Sequence, residues 1–168
     1  MKYDPNGNIL NMQRNGNQIT TLQTTLQMDE LKYNYIASTN KLRYVQDHIQ
    51  GSIYTDDLET QLSTNYDYDA IGNLIKDESE EIASIEWNVY GKVKKIKRTS
   101  ASQKPDLEFN YDGMGQRVSK TLISSADRQT TYYVRDAQGN ILTTYNLSGD
   151  TLTLDEQVIY GSSRLGVI

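Results

Sequence analysis

Carboxylates are the most numerous groups in this chain that could do chemistry. The sequence has 22 Asp and Glu residues, no cysteine and a single histidine. Paired carboxylates can act as general acid and base, and the local acidic clusters are Asp67-Asp69, Asp56-Asp57-Glu59 and Glu78-Glu80-Glu81. An Asp that follows Tyr in a turn, however, is already explained by hydrogen bonds to its own backbone. We therefore predict a protein that is not an enzyme, with no catalytic and no cofactor-binding residue.

The chain also contains residues that could serve metal or histidine chemistry. Asp4-Pro5-Asn6-Gly7-Asn8 places oxygen-bearing side chains around a glycine, as calcium loops do, but it lacks the spacing and closing Glu of an EF-hand. A histidine-based triad would have to use His48, and its neighbours Asp47 and Ile49 form no such pattern. The absence of cysteine excludes disulfides and thiolate metal sites. The sequence thus predicts no metal site.

Aromatic side chains offer a different kind of chemistry, the stacking of sugar rings. The chain has 13 tyrosines and one tryptophan, Trp87, and such residues bind carbohydrate when they are exposed on a sheet. More often they pack across neighbouring strands. A carbohydrate- or receptor-binding module that uses exposed Tyr and Trp therefore stays open as the alternative function.

The charge balance argues against nucleic acid as a partner. The net charge is −5 and the isoelectric point is about 4.9, whereas phosphate binding needs a basic face. The one basic run, Lys92–Arg98, alternates with Val93 and Ile96 and is typical of the solvated side of a strand. No stretch is apolar enough to span a bilayer, and the N-terminus has no signal-peptide core.

The elements that position these residues come from an internal repeat. Its motif is an aromatic residue, Asp or Asn, two free positions, Gly, a polar residue and then aliphatic residues. The copies are Tyr3–Leu10, Tyr35–Leu42 with Thr39 in place of the glycine, Tyr68–Ile75, Trp87–Val93, Tyr111–Val118 and Asp136–Leu142. The residues that define the motif are Tyr3, Asp4, Gly7, Tyr68, Asp69, Gly72, Trp87, Gly91, Tyr111, Asp112, Gly115, Asp136 and Gly139. Repetition of this kind indicates a repeat architecture.

Each copy of the motif predicts a strand, a tight turn and a returning strand. The Asp or Asn side chain can accept a backbone N–H two residues on, which starts the turn. The glycine can take a positive φ without a Cβ penalty, so we expect Gly72, Gly115 and Gly139 in hairpin turns, at least two of them with positive φ. Because a lone hairpin is marginal in water, the copies must pair side by side.

The repeated phrase resembles the YD repeat, or Rhs repeat, of bacterial Rhs proteins, Tc-toxin shell subunits and teneurins. The segment Tyr132–Leu142 followed by Ile159–Gly166 is similar to the lead into the Rhs-associated core. The resemblance implies a β-sheet that spirals into a hollow shell around a toxic C-terminal region, in a secreted or cell-surface bacterial protein. Some such shells cut themselves with aspartates in that core, but the chain stops at Ile168 before the core pattern, so no catalytic residue is transferred.

We therefore predict an all-β fold of antiparallel repeated β-hairpins that form a curved, spiralling sheet, an open shell segment. Residues 1–168 are expected to form a single domain, a piece of a longer protein. Its function would be that of a non-catalytic scaffold, and its partners would be neighbouring repeats and the C-terminal region of the parent, with a glycan or cell-surface receptor as the alternative.

More local expectations concern the faces and edges of the sheet. Trp87, Phe109, Tyr111 and Tyr133 are expected on one buried side. Open edges that carry little charge, Thr151–Leu154 and Thr20–Leu26, predict self-association. A hairpin reversal is expected at Asn15-Gly16 with a strand over 19–26, a turn at Gln50-Gly51 with a strand-like run over 52–55, and a short helical turn over 56–62.

Overall fold

The computed structural model describes residues 1–17, 26–49, 54 and 57–168. These residues form strands and turns and contain no helix, so the prediction of an all-β antiparallel fold is confirmed. The strands are β1 (Lys2–Tyr3), β2 (Ile9–Asn15), β3 (Gln27–Tyr35), β4 (Leu42–Asp47), β5 (Tyr66–Tyr68), β6 (Leu74–Asp77), β7 (Ile82–Trp87), β8 (Val93–Arg98), β9 (Asp106–Tyr111), β10 (Arg117–Ile123), β11 (Arg128–Arg135), β12 (Ile141–Ser148), β13 (Thr151–Tyr160) and β14 (Arg164–Val167).

The strands follow one another through the sheets in the order of the sequence. They form antiparallel sheets of four and ten strands, as expected when hairpin succeeds hairpin along the chain. The chain also divides into two compact units, Met1–Glu80 and Glu81–Ile168. The sequence shows no change of composition at this boundary, which is why a single domain is the prediction from sequence.

The first unit has a small apolar core on β3 and β4. Met28, Leu31 and Val45 are 5%, 1% and 2% exposed, respectively. Leu31 lies opposite Met12 of β2 and Asp47 of β4. Asn15 lies opposite Gln27, and Gly16 N donates to Leu26 O at 2.7 Å. The expected reversal at Asn15-Gly16 is therefore wrong, because these two residues continue the pairing of the strands. Most of the strand expected over 19–26, and all of the run over 50–55 except Tyr54, lie outside the described residues.

The segment after the gap, residues 57–62, lies along the outer edge of β4. Gln61 N donates to Val45 O at 2.9 Å, and Val45 N donates to Gln61 Oε1 at 2.9 Å. Thr60 Oγ1 accepts from Asp47 N at 3.0 Å and donates to Asp47 O at 2.9 Å. The expected helical turn is therefore wrong over residues 57–62, because these residues satisfy the polar groups of a sheet edge instead of bonding to one another.

The second unit is a single layer of strands, β7 to β14. Each strand contacts only its neighbours in the sheet, so no other element of this unit packs across either face. As a result Trp87, Phe109, Tyr111 and Tyr133 are half-buried, and Ile85 and Val158 are the only buried apolar residues of the unit. The prediction that these four aromatic residues are buried is therefore wrong, since their face is only half-covered. The alternation of side chains indicates which residues share a face, but not whether a second layer covers that face.

The two faces of this layer are covered in different ways. On one face the Arg117 guanidinium lies 5.6 Å from the ring centre of Phe109 and 5.0 Å from that of Tyr133. On the other face Ser119, Thr121 and Thr130 are buried, and the hydroxyls of the two threonines are 3.0 Å apart and hydrogen-bonded. Short side chains lose solvent contact between longer neighbours, so this burial needs no second layer.

Candidate functional site: the repeated hairpin turns

Three copies of the motif fold into the same hydrogen-bonded turn. In the copy that begins at Tyr68, Asp69 Oδ1 accepts from Ile71 N at 3.1 Å and from Asn73 N at 2.8 Å. Asp69 Oδ2 accepts from Asn73 Nδ2 at 2.9 Å. Asp4 and Asp136 make the corresponding three bonds within their own turns. One carboxylate thus holds the whole turn, as its position after the aromatic residue predicts.

The glycine of the motif supplies the backbone conformation that closes the turn. Asp69 N donates to Asn73 O at 3.0 Å, and Gly72 N donates to Asp69 O at 3.1 Å. This path needs a positive φ, which is 97° at Gly72, 76° at Gly115 and 89° at Gly139. The prediction for these three glycines is confirmed. Gly7 and Gly91 have positive φ as well.

Two copies show which part of the motif the turn requires. Asn88 Oδ1 accepts from Tyr90 N and from Lys92 N, both at 3.0 Å. Asp112 Oδ1 accepts from Met114 N at 2.9 Å and from the backbone N of the residue four positions on at 2.8 Å. Neither copy has Asn at that fourth position. The shared requirement is therefore one Oδ1 acceptor, which explains why Asp and Asn exchange in the motif.

The degenerate copy at Tyr35 turns by a different route. Its turn is one residue longer, because Ile36 N donates to Lys41 O at 2.9 Å. The positive φ, 61°, falls on Ser38 rather than on Thr39, which stands in place of the glycine. The Thr39 hydroxyl accepts from Lys41 N at 3.1 Å and so provides the acceptor that Asp provides in other copies. An extra residue and a hydroxyl compensate for the loss of Asp and Gly.

Hydrogen bonding lowers the pKa of three turn carboxylates, those of Asp4, Asp69 and Asp136. The side-chain amide of Asn8 lowers the pKa of Asp4, and that of Asn140 lowers the pKa of Asp136. For Asp69, desolvation acts to raise the pKa, but the hydrogen bonds from Asn73 and the turn backbone outweigh it and lower the pKa. A carboxylate whose oxygens already accept donors from its own turn acts as a structural acceptor. Asp4, which begins the sequence that resembles a calcium loop, is one of these structural acceptors.

In three copies of the motif the aromatic residue, a tyrosine, links its hairpin to the one before it, and Tyr160 at the end of β13 does the same. Each hydroxyl donates to the carbonyl of the residue that opens the returning strand of the preceding copy. The four bonds are Tyr35 Oη to Ile9 O at 2.8 Å, Tyr68 Oη to Leu42 O at 2.7 Å, Tyr111 Oη to Val93 O at 2.7 Å and Tyr160 Oη to Ile141 O at 3.0 Å. Where the aromatic is replaced by Arg135, its Nε donates to Arg117 O at 3.3 Å. We call these contacts the inter-repeat bonds.

Sequence reasoning missed the inter-repeat bonds. It assigned the motif tyrosines to strand ends and packing, for which phenylalanine would serve equally well. The signal was present in the composition, which has 13 tyrosines and one phenylalanine. Burial raises the pKa of Tyr35 and of Tyr68, so both hydroxyls keep the proton that they donate.

The two free positions of the motif lie at the tips of the turns and face solvent. Ile71, Val89, Tyr90 and Met114 are 86%, 93%, 77% and 81% exposed, respectively. Exposed apolar residues at loop tips make no contribution to the core, so the motif leaves these positions unconstrained by the fold. Variation here changes the rim of the sheet without changing its hairpins.

Family models and curated proteins give no support to a family assignment. No family model matches the chain, and no curated protein matches it. Within the described ranges, no helix has the length and apolar character needed to cross a membrane. The YD-repeat assignment therefore stays a prediction based on the repeated phrase.

Proposed function

We propose that this chain is a non-catalytic structural scaffold, a YD-repeat segment of an Rhs-like secreted or surface protein. In this proposal its repeats enclose or present a variable, toxin-like C-terminal region of the parent protein. The secreted or surface location follows from the family resemblance alone.

The observation that carries the proposal is the pairing of a self-contained turn with an inter-repeat bond. Five of the turns are closed by their own Asp or Asn and glycine, as Asp69 and Gly72 close one of them. Inter-repeat bonds then tie hairpins to the preceding ones, most of them through a hydroxyl and a carbonyl, as Tyr111 is tied to Val93. Units that contact only their neighbours can be added one after another. This is what a long wall built from one short phrase requires.

The single layer of the second unit also supports an enclosing role. A sheet with no second layer has two accessible faces, and the face with Phe109 and Tyr133 is only half-buried. A half-covered aromatic face costs stability if it stays in water. A wall that turns one such face toward enclosed cargo would cover it further, so the sparse core suits a container better than an independent domain.

The proposal is tested on the full gene product, with a protease site placed between the repeats and whatever region follows them. After cleavage in native buffer, size-exclusion chromatography should show the repeats and the C-terminal region eluting together. Denaturant should separate them, since enclosure rather than a covalent bond holds the cargo. Separation in native buffer, or a gene that encodes nothing after Ile168, would contradict the proposal.

One observation favours the alternative function, a carbohydrate- or receptor-binding module. Tyr90 is 77% exposed at a turn tip, and an exposed ring can stack on a sugar. The tyrosines at 35, 68, 111 and 160 are instead committed to inter-repeat bonds, and Trp87 is half-buried. Glycan-array binding that is abolished by Tyr90→Ala would establish this second function.

A further inference from the structure

Three aspartates that the repeat does not use converge in the first unit. Asp29 lies on β3, Asp47 ends β4, and Asp57 begins the segment along the edge of β4. One carboxylate oxygen from each lies within 4.8 Å of the other two. Asp29 is 0% exposed and Asp47 is 7% exposed. Like charges are seldom buried so close together unless something compensates them.

The described residues supply a guanidinium and several backbone donors to Asp29 and Asp47. Arg14 donates to Asp29 through Nε at 2.6 Å and through Nη2 at 2.8 Å, and Leu58 N donates to the same carboxylate at 3.1 Å. Asp47 Oδ1 accepts from Glu30 N at 2.8 Å and from Ile49 N at 3.2 Å. The Arg14 guanidinium thus pairs with Asp29, and backbone N–H groups serve one oxygen of Asp47.

The second oxygen of Asp47 is the observation that points to a ligand. Asp47 Oδ2 is buried, and within the described residues no group donates a hydrogen bond to it. Buried carboxylate oxygens almost always have a partner, because leaving one without costs the full penalty of its desolvation. The oxygen therefore requires a partner that the described polypeptide does not supply.

The spacing of the three oxygens suits one hard cation. Calcium binds oxygen ligands at about 2.3–2.6 Å, so two of its ligands are at most about 5 Å apart. The 4.8 Å limit within the cluster meets that condition. An all-carboxylate donor set excludes soft metals, and magnesium demands a tighter octahedron than three side chains from separate segments readily form.

We propose that Asp29, Asp47 and Asp57 bind a calcium ion, with water molecules completing its coordination. The ion would join β3, β4 and the segment that starts at Asp57. It would thereby fasten the chain that covers the edge of β4, next to the bonds of Thr60 and Gln61. With three protein carboxylates the dissociation constant should fall near 10⁻⁴–10⁻³ M, the range of extracellular calcium modules.

Terbium luminescence tests this site directly on the 168-residue chain. Tyr33 is a suitable antenna because it shares a face of β3 with Asp29 and lies opposite Val45, two residues from the position where Leu31 faces Asp47. Added Tb³⁺ should give saturable luminescence on tyrosine excitation, and Ca²⁺ should displace it. Asp47→Asn and, separately, Asp57→Asn should each weaken binding at least tenfold.

Matched variants distinguish binding at this cluster from nonspecific binding of the cation to other carboxylates of the chain. Asp150→Asn removes an exposed aspartate, and Asp4→Asn alters the one loop that resembles a calcium loop in sequence; both should bind Tb³⁺ as the unaltered chain does. Circular dichroism shows whether each variant is folded. Luminescence that does not saturate, that Ca²⁺ does not displace, or that survives in a folded Asp47→Asn variant would overturn the proposal. A melting temperature that does not change with added calcium but rises on acidification would also overturn the proposal, because the carboxylates would then share a proton instead of binding an ion.

Discussion

The inter-repeat bonds make a quantitative prediction for Tyr111→Phe, which removes one hydroxyl and leaves the ring. Tyr111 Oη lies 2.7 Å from Val93 O, the favoured distance for an O–H···O bond. Such a bond contributes about 0.5–1.5 kcal/mol net, and a half-buried carbonyl left without its donor adds to the loss. We expect Tyr111→Phe to lower the free energy of unfolding by about 1 kcal/mol.

Urea denaturation followed by Trp87 fluorescence measures this effect, because Trp87 and Tyr111 lie in the same unit. With a urea dependence of roughly 1–2 kcal/mol per molar for a unit of this size, the midpoint should fall by about 0.5–1 M. Tyr132→Phe is the matched control: Tyr132 is 41% exposed, and no inter-repeat bond uses its hydroxyl. Equal midpoints for the two variants would refute the structural role assigned to the motif tyrosine.

Three further predictions concern the turns and the sheet edge. Gly115→Ala should destabilise the protein by about 1–2 kcal/mol, because φ is +76° there, although a Cβ would make only an ordinary contact with Lys92 Cε at 3.8 Å; Gly113→Ala, in the same turn with no atom within 4 Å of a Cβ and no positive φ, should cost less in the same urea titration. The pKa of Asp136 is lowered in the folded state. Its carboxylate therefore stabilises the fold fully above the unfolded-state pKa of about 3.9, and this stabilisation is lost as the pH falls through the lower folded-state pKa. Asp136→Asn, which keeps Oδ1, should therefore show a smaller drop in urea midpoint between about pH 5 and pH 2.5, and an unchanged drop would contradict this role. Thr153→Lys should weaken self-association in light scattering without unfolding the protein, because Leu152 and Leu154 are exposed on β13 and an edge charge opposes strand pairing; a monomer at all micromolar concentrations would show that no such association exists.

The local part of the fold was predictable because its physical causes lie within a few residues. An Asp that can accept the N–H two positions on, and a glycine that can take positive φ, are both visible in Tyr68–Ile75. The hairpins and the all-β class follow from repeating them. The turn at Tyr35 shows the limit, since its extra residue and the positive φ of Ser38 are not apparent from the motif.

The longer-range part was not predictable, because it depends on what lies opposite each residue. The alternation around Trp87 and Phe109 indicates a shared face, but their half-burial reflects the lack of a covering layer in their unit. The segment after Asp57 became an edge cover because Val45 and Asp47 needed partners for their outward N–H groups. The three-aspartate cluster joins residues 10 to 28 positions apart, with no motif that signals it.

We propose that the repeats form the wall of a container. Electron cryo-microscopy of the full gene product tests this proposal most directly. We predict a hollow shell of continuous β-sheet, with density for the C-terminal region inside it and the half-buried face of Phe109 and Tyr133 turned toward that region. A solid β domain with the C-terminal region outside it would contradict the proposal.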